Sequence, residues 1–395
     1  MRKFVFEMQI CIVHNEYGRF SGEEAIVERI CRLLEGHGHK LIRLTRSSSE
    51  IPALVLGEIR AFFSGIYSFA SARRIRRILQ EQRPDVVHVH NLFPLISPSV
   101  LQQCRKAGVP VVMTVHNYRL VCPNGLHMKD GQVCEKCAGG REYWCVLKNC
   151  EGSLFKSLGY ALRNFTARKW RLFLDNVTVY TTLTEFQRQR LIAEGFPGER
   201  IVVIPNMSTQ SAHNGMPLLG DYVGYVGRIS PEKMVPLLLE AARRIRNAVF
   251  RAAGDWSQMP EIRRLAPSNF QFLGHLSGED LEEFYRSSRF LVLCSSCFEG
   301  FPVTLAEAMQ YGKPVISSRI GGLPEIVDDG VTGLLFESGN VDDLADKIGR
   351  LWSDPELCRR MGLAGREKAL REYSSARYYE RLIHVYARAM RLRRH

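Results

Sequence analysis

Short apolar runs alternate with amphipathic stretches along the whole chain. Gln9-Ile10-Cys11-Ile12-Val13 reads as a strand, and the stretch opening near Gly22-Glu23-Glu24 carries Ile26, Ile30, Leu33 and Leu34 at helical spacing. Further strands are predicted at Lys40–Leu44, Asp85–His90 and Val109–Val115, with helical stretches between them. After an irregular interval at 119–152, a helical stretch over about 154–174 leads to a strand at Asn176–Tyr180, a helix from Thr184 and a strand at Ile201–Ile204. Pro205-Asn206 and the polar stretch Ser208 to Pro217 read as a linker. The rhythm then restarts, with strands at Tyr222–Val226, Val249–Ala253, Phe270–Leu273, Arg289–Leu293, Pro314–Ile316 and Gly333–Phe336. Residues 341–371 read as helical, and a last helix from Ser375 to about Arg391 presents Tyr379, Leu382, Ile383, Tyr386 and Met390 on one side. Such alternation predicts parallel βαβ units.

A length of 395 residues suits two domains, and 45% apolar residues suffice for a sizeable core. The predicted division is 1–205 plus 375–395, with an insertion at 119–152, against 206–374. No apolar run reaches the roughly 20 residues of a membrane span. The start, MRKFVFEMQICIVH, is interrupted by Glu7 and has no small-residue cleavage site, so a signal peptide is not expected. The expected location is cytoplasmic, peripheral on the inner membrane face.

That last expectation comes from charge. Residues 1–205 hold 29 Lys+Arg against 18 Asp+Glu, and residues 206–395 hold 25 against 23. Most of the net +13 therefore belongs to the first half. Its densest cluster is Ala72-Arg73-Arg74-Ile75-Arg76-Arg77-Ile78-Leu79, shortly after Ala61-Phe62-Phe63-Ser64-Gly65-Ile66-Tyr67. A basic amphipathic stretch suits an anionic membrane surface, and a solvated helix face explains the same pattern. Nucleic acid is not the expected partner, because no recognisable nucleic-acid module accompanies the charge.

Candidate chemistry collects where predicted strands end. Ligands of open α/β sheets bind at the carboxyl edge of the strands. His116 ends the strand at Val109–Val115, where a hydrogen-bonded structural histidine is the plainer alternative. The turn around Gly18, Ser21 and Gly22 follows the first strand and can bring backbone amides close to a phosphate or sugar. Arg228 and Lys233 bracket Ile229-Ser230-Pro231-Glu232 before a predicted helix, two cations suited to clamping a diphosphate. The stretch CFEGFPVTLAEAMQYGKPVI, residues 297–316, places Glu299 and Glu307 around a helix start. Thr304 and Glu307 have capping-box spacing, so a structural role is available for Glu307 and none for Glu299.

The insertion holds Cys122, Cys134, Cys137, Cys145 and Cys150, five of the eleven cysteines. The CxxC at Cys134 and Cys137, with Cys122 and Cys150 (or Cys145), fits four thiolates on a structural zinc. An iron–sulfur cluster or reduced, unligated thiols are the other readings.

At Glu299-Gly300-Phe301-Pro302 … Glu307-Ala308-Met309 the chain resembles the retaining glycosyltransferases of family 4, which have the GT-B fold. YVGRISPEK, Gly321-Gly322-Leu323-Pro324-Glu325, DGVTGLLF and the IPN ending the first half extend the likeness over nearly the whole chain. HNYRLVCPNG and its cysteines resemble a subset with a cysteine-rich insertion. The resemblance implies two Rossmann-like domains facing across a cleft, the C-terminal helix crossing back to the first. It implies diphosphate binding by Arg228 and Lys233, ribose hydroxyls on Glu307 and donor-sugar hydroxyls on Glu299. Amides around Phe301, Pro302, Val303, Thr304 and Leu305 would approach sugar and phosphate. His275 and Leu276 would meet the base, and Gly254 would lie in the family's GDGP-like turn. Gly18, Ser21 and Gly22 would line the cleft, with His116 near the reacting centre.

Three departures bear on donor identity: Ser21-Gly22 for two adjacent glycines, Gly254-Asp255-Trp256-Ser257 for GDGP, and Met207-Ser208-Thr209 for Gly-Val-Asp. The expected reaction moves a sugar from a UDP- or GDP-sugar to a lipid-linked or saccharide acceptor, with retention and without a cofactor for catalysis. The chain has no Asp-x-Asp motif, so a catalytic divalent metal is not implied. A sugar-nucleotide epimerase or phosphorylase on the same architecture, and a non-catalytic basic module binding membrane or nucleic acid, are the competing readings.

Overall fold

The structure, a computed structural model, describes residues 7–18, 21–54, 56–208 and 219–394. Residues 1–6 and most of the expected linker, 209–218, lie outside the described residues. In chain order the first half contains β1 (Gln9–Glu16), α1 (Gly22–Gly36), β2 (Lys40–Ser47), α2 (Gly57–Ile66), α3 (Phe69–Glu81), β3 (Val86–Asn91), α4 (Ser99–Lys106) and β4 (Val111–Val115). It continues with a hairpin, β5 (Met128–Lys129) and β6 (Gln132–Val133), then α5 (Tyr143–Leu147), α6 (Leu154–Lys169), β7 (Val179–Thr182), α7 (Glu185–Ala193) and β8 (Ile201–Val203). The second half contains β9 (Tyr222–Val226), α8 (Val235–Arg244), β10 (Phe250–Ala253), β11 (Phe270–Gly274), α9 (Gly278–Ser287), β12 (Ser288–Leu293) and α10 (Val303–Gln310). It closes with β13 (Val315–Ser318), α11 (Leu323–Ile326), β14 (Gly333–Phe336), α12 (Val341–Ser353), α13 (Pro355–Glu372) and α14 (Ser375–Arg394).

These elements form two compact units. One comprises Met1–Leu126, Glu135–Ile204 and Tyr379–His395; the other comprises His127–Cys134 and Pro205–Tyr378. Each is a Rossmann-like α/β unit around a six-stranded sheet whose pairings are all parallel. The first sheet has the order β2-β1-β3-β4-β7-β8 and the second β11-β10-β9-β12-β13-β14. Chain order reverses between β1 and β3 in one, and between β9 and β12 in the other. Such switch points are where open α/β sheets leave room for a ligand.

The strands are short and apolar because both faces are covered. In the second unit Val223, Tyr225, Phe250, Phe290, Val292, Ile316 and Phe336 form one buried cluster with α8, α12 and α13 residues such as Leu238, Ile348 and Met361. Side chains cap the helix starts: Ser21, Ser68, Ser153, Thr184, Asn340 and Asp354 each accept from a backbone N–H of the first turn. Such a cap is worth about 0.5–2 kcal/mol.

The structure corrects the expected boundaries in three places. The insertion at 119–152 is not a single appendage of the first unit, because 127–134 packs with the second. Its Met128 Sδ accepts from Ser296 Oγ at 3.3 Å, and His127 lies 5.6 Å from the Phe298 ring. The crossing of α14 falls at Tyr379 rather than Ser375. The strand expected at 176 begins at Val179, since Thr178 is taken up in edge bonds to Val111.

Beyond the crossing, α14 is tied into the first sheet. Tyr379 donates to or accepts from His39 Nε2 at 2.9 Å and stacks on His37 at 3.6 Å. Tyr386 Oη meets His88 Nδ1 at 2.7 Å, and His88 Nε2 meets Thr114 Oγ1 at 2.7 Å, inside the sheet. Tyr386→Phe strands a ring nitrogen of a fully buried histidine. We expect a loss of about 1–3 kcal/mol, read by urea denaturation.

Candidate functional site

Toward the carboxyl edge of the first sheet, three adjacent strands bring up a histidine: His14 and His90 near the ends of β1 and β3, and His116 just past β4. His90 Nδ1 and His116 Nε2 share a hydrogen bond of 2.9 Å, and the His14 ring stands edge-on to His90 at 6.2 Å. Burial drives all three imidazoles toward the neutral form. His116 falls to about 3 and His14 to about 4, where Glu23 opposes the shift. His90 is also lowered by burial, with its histidine neighbours adding to the effect.

Glu23 reaches this edge from the first turn of α1, its Oε1 3.9 Å from His14 Nδ1. Tyr17 Oη donates to Glu23 Oε2 at 2.8 Å, and the guanidinium of Arg119 lies over the Tyr17 ring. Burial raises the Glu23 carboxyl, against His14, Tyr17, Arg119 and Asn117. Both His14 ring nitrogens, His90 Nε2 and Glu23 Oε1 are buried without a hydrogen-bond partner. Orphaned polar groups of this kind need a reason, and a site prepared for a ligand's hydroxyls supplies one.

Of the residues expected here, Gly18 has φ 76°, and a Cβ on it would run into the Ser49 backbone. Ser21 is the N-cap of α1 and accepts from Glu24 N at 3.2 Å. That role accounts for a serine where the family has glycine. Gly22 opens the helix in clear space.

The second unit gathers the other expected residues. Lys233 Nζ donates to Glu299 Oε1 at 2.6 Å, and Ser295 Oγ donates to the same oxygen at 2.7 Å. Each side chain of the ion pair is only 13% exposed. Burial pulls the Lys233 ammonium down, but Glu299 more than offsets it and leaves it raised. Burial likewise pushes the Glu299 carboxyl up, and Lys233 with Ser295 leaves it below the carboxylate range. The pair is thus held ionised. Arg228 lies beside it, its guanidinium 3.1 Å from the buried Glu232.

The two cations do not stand at a regular helix start, as expected. Pro231–Lys233 is a single 3-10 turn, and Met234, at φ 46°, turns the chain into α8. The capping-box reading is also overturned. Pro302 is the N-cap of α10, no side chain caps that end, and Thr304 already lies in the first turn. Glu307 is buried and accepts from Tyr285 Oη at 2.9 Å. Val303, Thr304 and Leu305 thereby bring an uncapped helix N-terminus beside Glu299, the arrangement that favours an anion.

Phe301 packs edge-on to Tyr373 at 5.1 Å, fixing the loop. Gly254 is required, because a Cβ there would strike the Gly227 carbonyl where β9 and β10 end. His275 is exposed beyond β11, and Leu276 packs against Tyr222, Ala253 and Phe284.

Several residues of the two groups were not singled out in the sequence. His14 and His90 lie close to the criterion that selected His116, one or two residues before the ends of β3 and β1. Glu23, Glu232, Tyr285 and Ser295 carry no comparable local signal, since their partners are set by the fold.

The four-thiolate set is not assembled. Cys134 belongs to the hairpin of the second unit, while Cys122, Cys137, Cys145 and Cys150 belong to the first. Cys122 Sγ donates to Asn124 Oδ1 at 3.0 Å, and buried Cys145 is hydrogen-bonded to Cys150. Among the described residues, no group of three or more His, Cys, Asp or Glu side chains is placed to hold a metal ion.

Two parallel α/β units, each with its polar groups at a switch point, are the arrangement of GT-B glycosyltransferases. The family model described as "Glycosyl transferases group 1" matches residues 207–368, and "Glycosyl transferase 4-like domain" matches 21–207. The chain belongs to this glycosyltransferase family. An uncharacterised glycosyltransferase of Methanocaldococcus jannaschii is 28% identical over 312 residues, 77% of this chain and 76% of that protein. The alpha-maltose-1-phosphate synthase of Mycolicibacterium smegmatis is 31% identical over 193 residues, 44% of this chain and 50% of that one. In fold the chain is similar to sucrose-phosphate synthase from Thermosynechococcus elongatus, with a TM-score of 0.72 and 16% identity over 97% of this chain and 99% of that one. It is also similar to Anabaena HepE, solved with UDP and glucose, with a TM-score of 0.68 and 16% identity over 96% of this chain and 100% of that one.

Two predictions follow from the electrostatics. Lys233→Met or Glu299→Leu alone leaves a buried charge unpaired and is expected to cost about 3–5 kcal/mol, while the double variant recovers most of the loss. Thermal denaturation of the three variants checks this. The second concerns pH. His88 and His116 are neutral when folded, with values of about 3 against an ordinary 6.5. Between those values the unfolded chain binds more protons, so stability falls as pH falls. By pH 5 each of these histidines is expected to have removed about 2 kcal/mol relative to pH 7. His88→Gln flattens the acid limb of a melting-temperature–pH curve.

Proposed function

We propose that the protein transfers a glycosyl unit from a nucleoside diphosphate sugar to an acceptor hydroxyl, with retention at the anomeric carbon. The observation that carries this reading is the buried Lys233–Glu299 pair beside the uncapped start of α10. Lys233, Arg228 and the α10 amides offer positive charge for a departing diphosphate, which is the charge that develops as the glycosidic bond to phosphate breaks. Glu307 takes the ribose hydroxyls, and His275 and Leu276 face the base. HepE, similar in fold, has been solved with UDP and with UDP-glucose, which favours a uridine donor among the candidates.

Glu299 is better suited to holding a donor-sugar hydroxyl than to attacking carbon. Its Oε1 already accepts from both Lys233 and Ser295, which lowers its nucleophilicity and fixes its direction. With Glu299 held in this way, displacement on one face accounts for the retention proposed here. The bond from the anomeric carbon to the phosphate oxygen breaks, and the electron pair leaves with the diphosphate. The acceptor oxygen bonds to the same face, and its proton passes to the departing phosphate. Neutral His116, held by His90, orients a sugar hydroxyl.

The acceptor is proposed to be a lipid-linked or growing saccharide of the cell surface, and the basic first half is what supports that choice. A thermal-shift screen of UDP-, GDP- and ADP-sugars is expected to select one donor, since a ligand binding only the native state raises its stability. With that donor, NMR of the product should show the anomeric configuration of the donor. Glu299→Gln and Lys233→Met are each expected to lower turnover by about a hundredfold or more. Full turnover by either variant, or an inverted product, refutes the assignment.

A further inference from the structure

Alternate residues of a strand share one face of the sheet. Ile12, His14 and Glu16 therefore line one side of β1. Arg43 and Thr45 stand beside them on the edge strand β2, Ile12 paired with Arg43 and His14 with Thr45. Glu24, Val27, Glu28 and Cys31 recur at helical spacing on the side of α1 that lies over these strands. The two sides do not close completely. Between them lies a cavity of about 300 Å³, to which the buried Ile12, Val27 and Cys31 give an apolar floor.

The charges around it are not balanced. Arg43 donates to Glu28 at 2.8 Å and lies 3.7 Å from Glu35, so its charge is met on α1. Arg46 is taken by Glu50 at 2.8 Å. Among the described residues neither Glu16 nor Glu24 forms an ion pair, in a chain with 54 Lys+Arg against 41 Asp+Glu. Glu24 Oε1 accepts from the Tyr17 amide at 2.6 Å, which fixes its direction. Burial, and then the carboxyls of Glu24 and Glu50, push Glu16 up, as expected of an acid that no cation faces.

His14 supplies a second, independent observation. It lines the same cavity, is 3% exposed, and has no hydrogen-bond partner on either ring nitrogen. Two uncompensated carboxyls call for a cation, an unpartnered imidazole for a hydroxyl, and an apolar floor for the C–H face of a ring. A volume of about 300 Å³ is at the lower end for small-molecule pockets, which suits one sugar ring better than a chain.

We infer that the cavity between β1, β2 and α1 binds an amino sugar, its ammonium group between Glu16 and Glu24, its ring on Ile12 and Val27, and a hydroxyl on His14. The site shares no residue with the donor site of the second unit. Binding here is therefore read without turnover and does not depend on the transfer reaction.

Thermal-shift and calorimetric titrations of the full chain with glucosamine test it. N-acetylglucosamine, the same ring without the charge, and methylamine, the charge without the ring, are the controls. Glucosamine is expected to give a saturable shift, and each control to bind at least about tenfold more weakly. Glu16→Gln and Glu24→Gln remove one charge each, the second keeping an oxygen for the Tyr17 amide, and each should weaken glucosamine about tenfold. The shift produced by UDP should be the same in both variants. Loss of the UDP shift in the unaltered chain would count against the transfer reading and leave this inference standing. Three results overturn it: no saturable binding of glucosamine by the folded chain, equal binding of N-acetylglucosamine, or unchanged glucosamine affinity in both variants. The comparison of sugars uses the unaltered chain, so it decides the matter even where a variant does not fold.

Discussion

The buried ion pair of Lys233 and Glu299 is the interaction on which the second unit's chemistry rests. Taking two charges out of water is costly, and their attraction offsets that cost only when geometry and further hydrogen bonds are favourable. Here Ser295 supplies the further bond. The two partners lie on the segments that follow β9 and β12, neighbours at the point where the strand order reverses. The pairing of those strands brings the two segments to one edge of the sheet. A sheet pairing far more extensive than the pair itself holds the pair, and the core cluster of Phe250, Phe290 and Phe336 holds the sheet.

Smaller constraints serve the same edge. Gly254 lets β10 end close against Gly227, which keeps the turn carrying Arg228 in place. Glu307 turns inward to Tyr285, and Pro302 at the N-cap position offers no side chain to cap α10. A capping side chain would satisfy the amides that an anion otherwise takes.

Much of this was legible in the sequence because parallel strands covered on both faces appear as unbroken apolar runs. The strand ends, and with them His116, Arg228, Lys233 and Glu299, could be read directly. What could not be read depends on partners far along the chain. Thr304 and Glu307 have capping spacing, but Pro302 takes the cap position and Tyr285, 22 residues earlier, claims the carboxylate. Cysteine spacing suggested one metal site, yet the fold distributes those cysteines over both units. The arginine-rich helix looked amphipathic in isolation, and its apolar face proves to be ordinary core.

The two sheet edges solve the problem of polar burial in opposite ways. In the second unit charge is kept and neutralised locally, with Lys233 on Glu299 and Arg228 on Glu232. In the first unit burial removes charge: His14, His90 and His116 are neutral, and the Glu23 carboxyl is raised. Neutral imidazoles with orphaned hydrogen-bonding atoms are good at orienting hydroxyl groups. The two edges thus suit different kinds of group, an anion in the second unit and uncharged hydroxyls in the first.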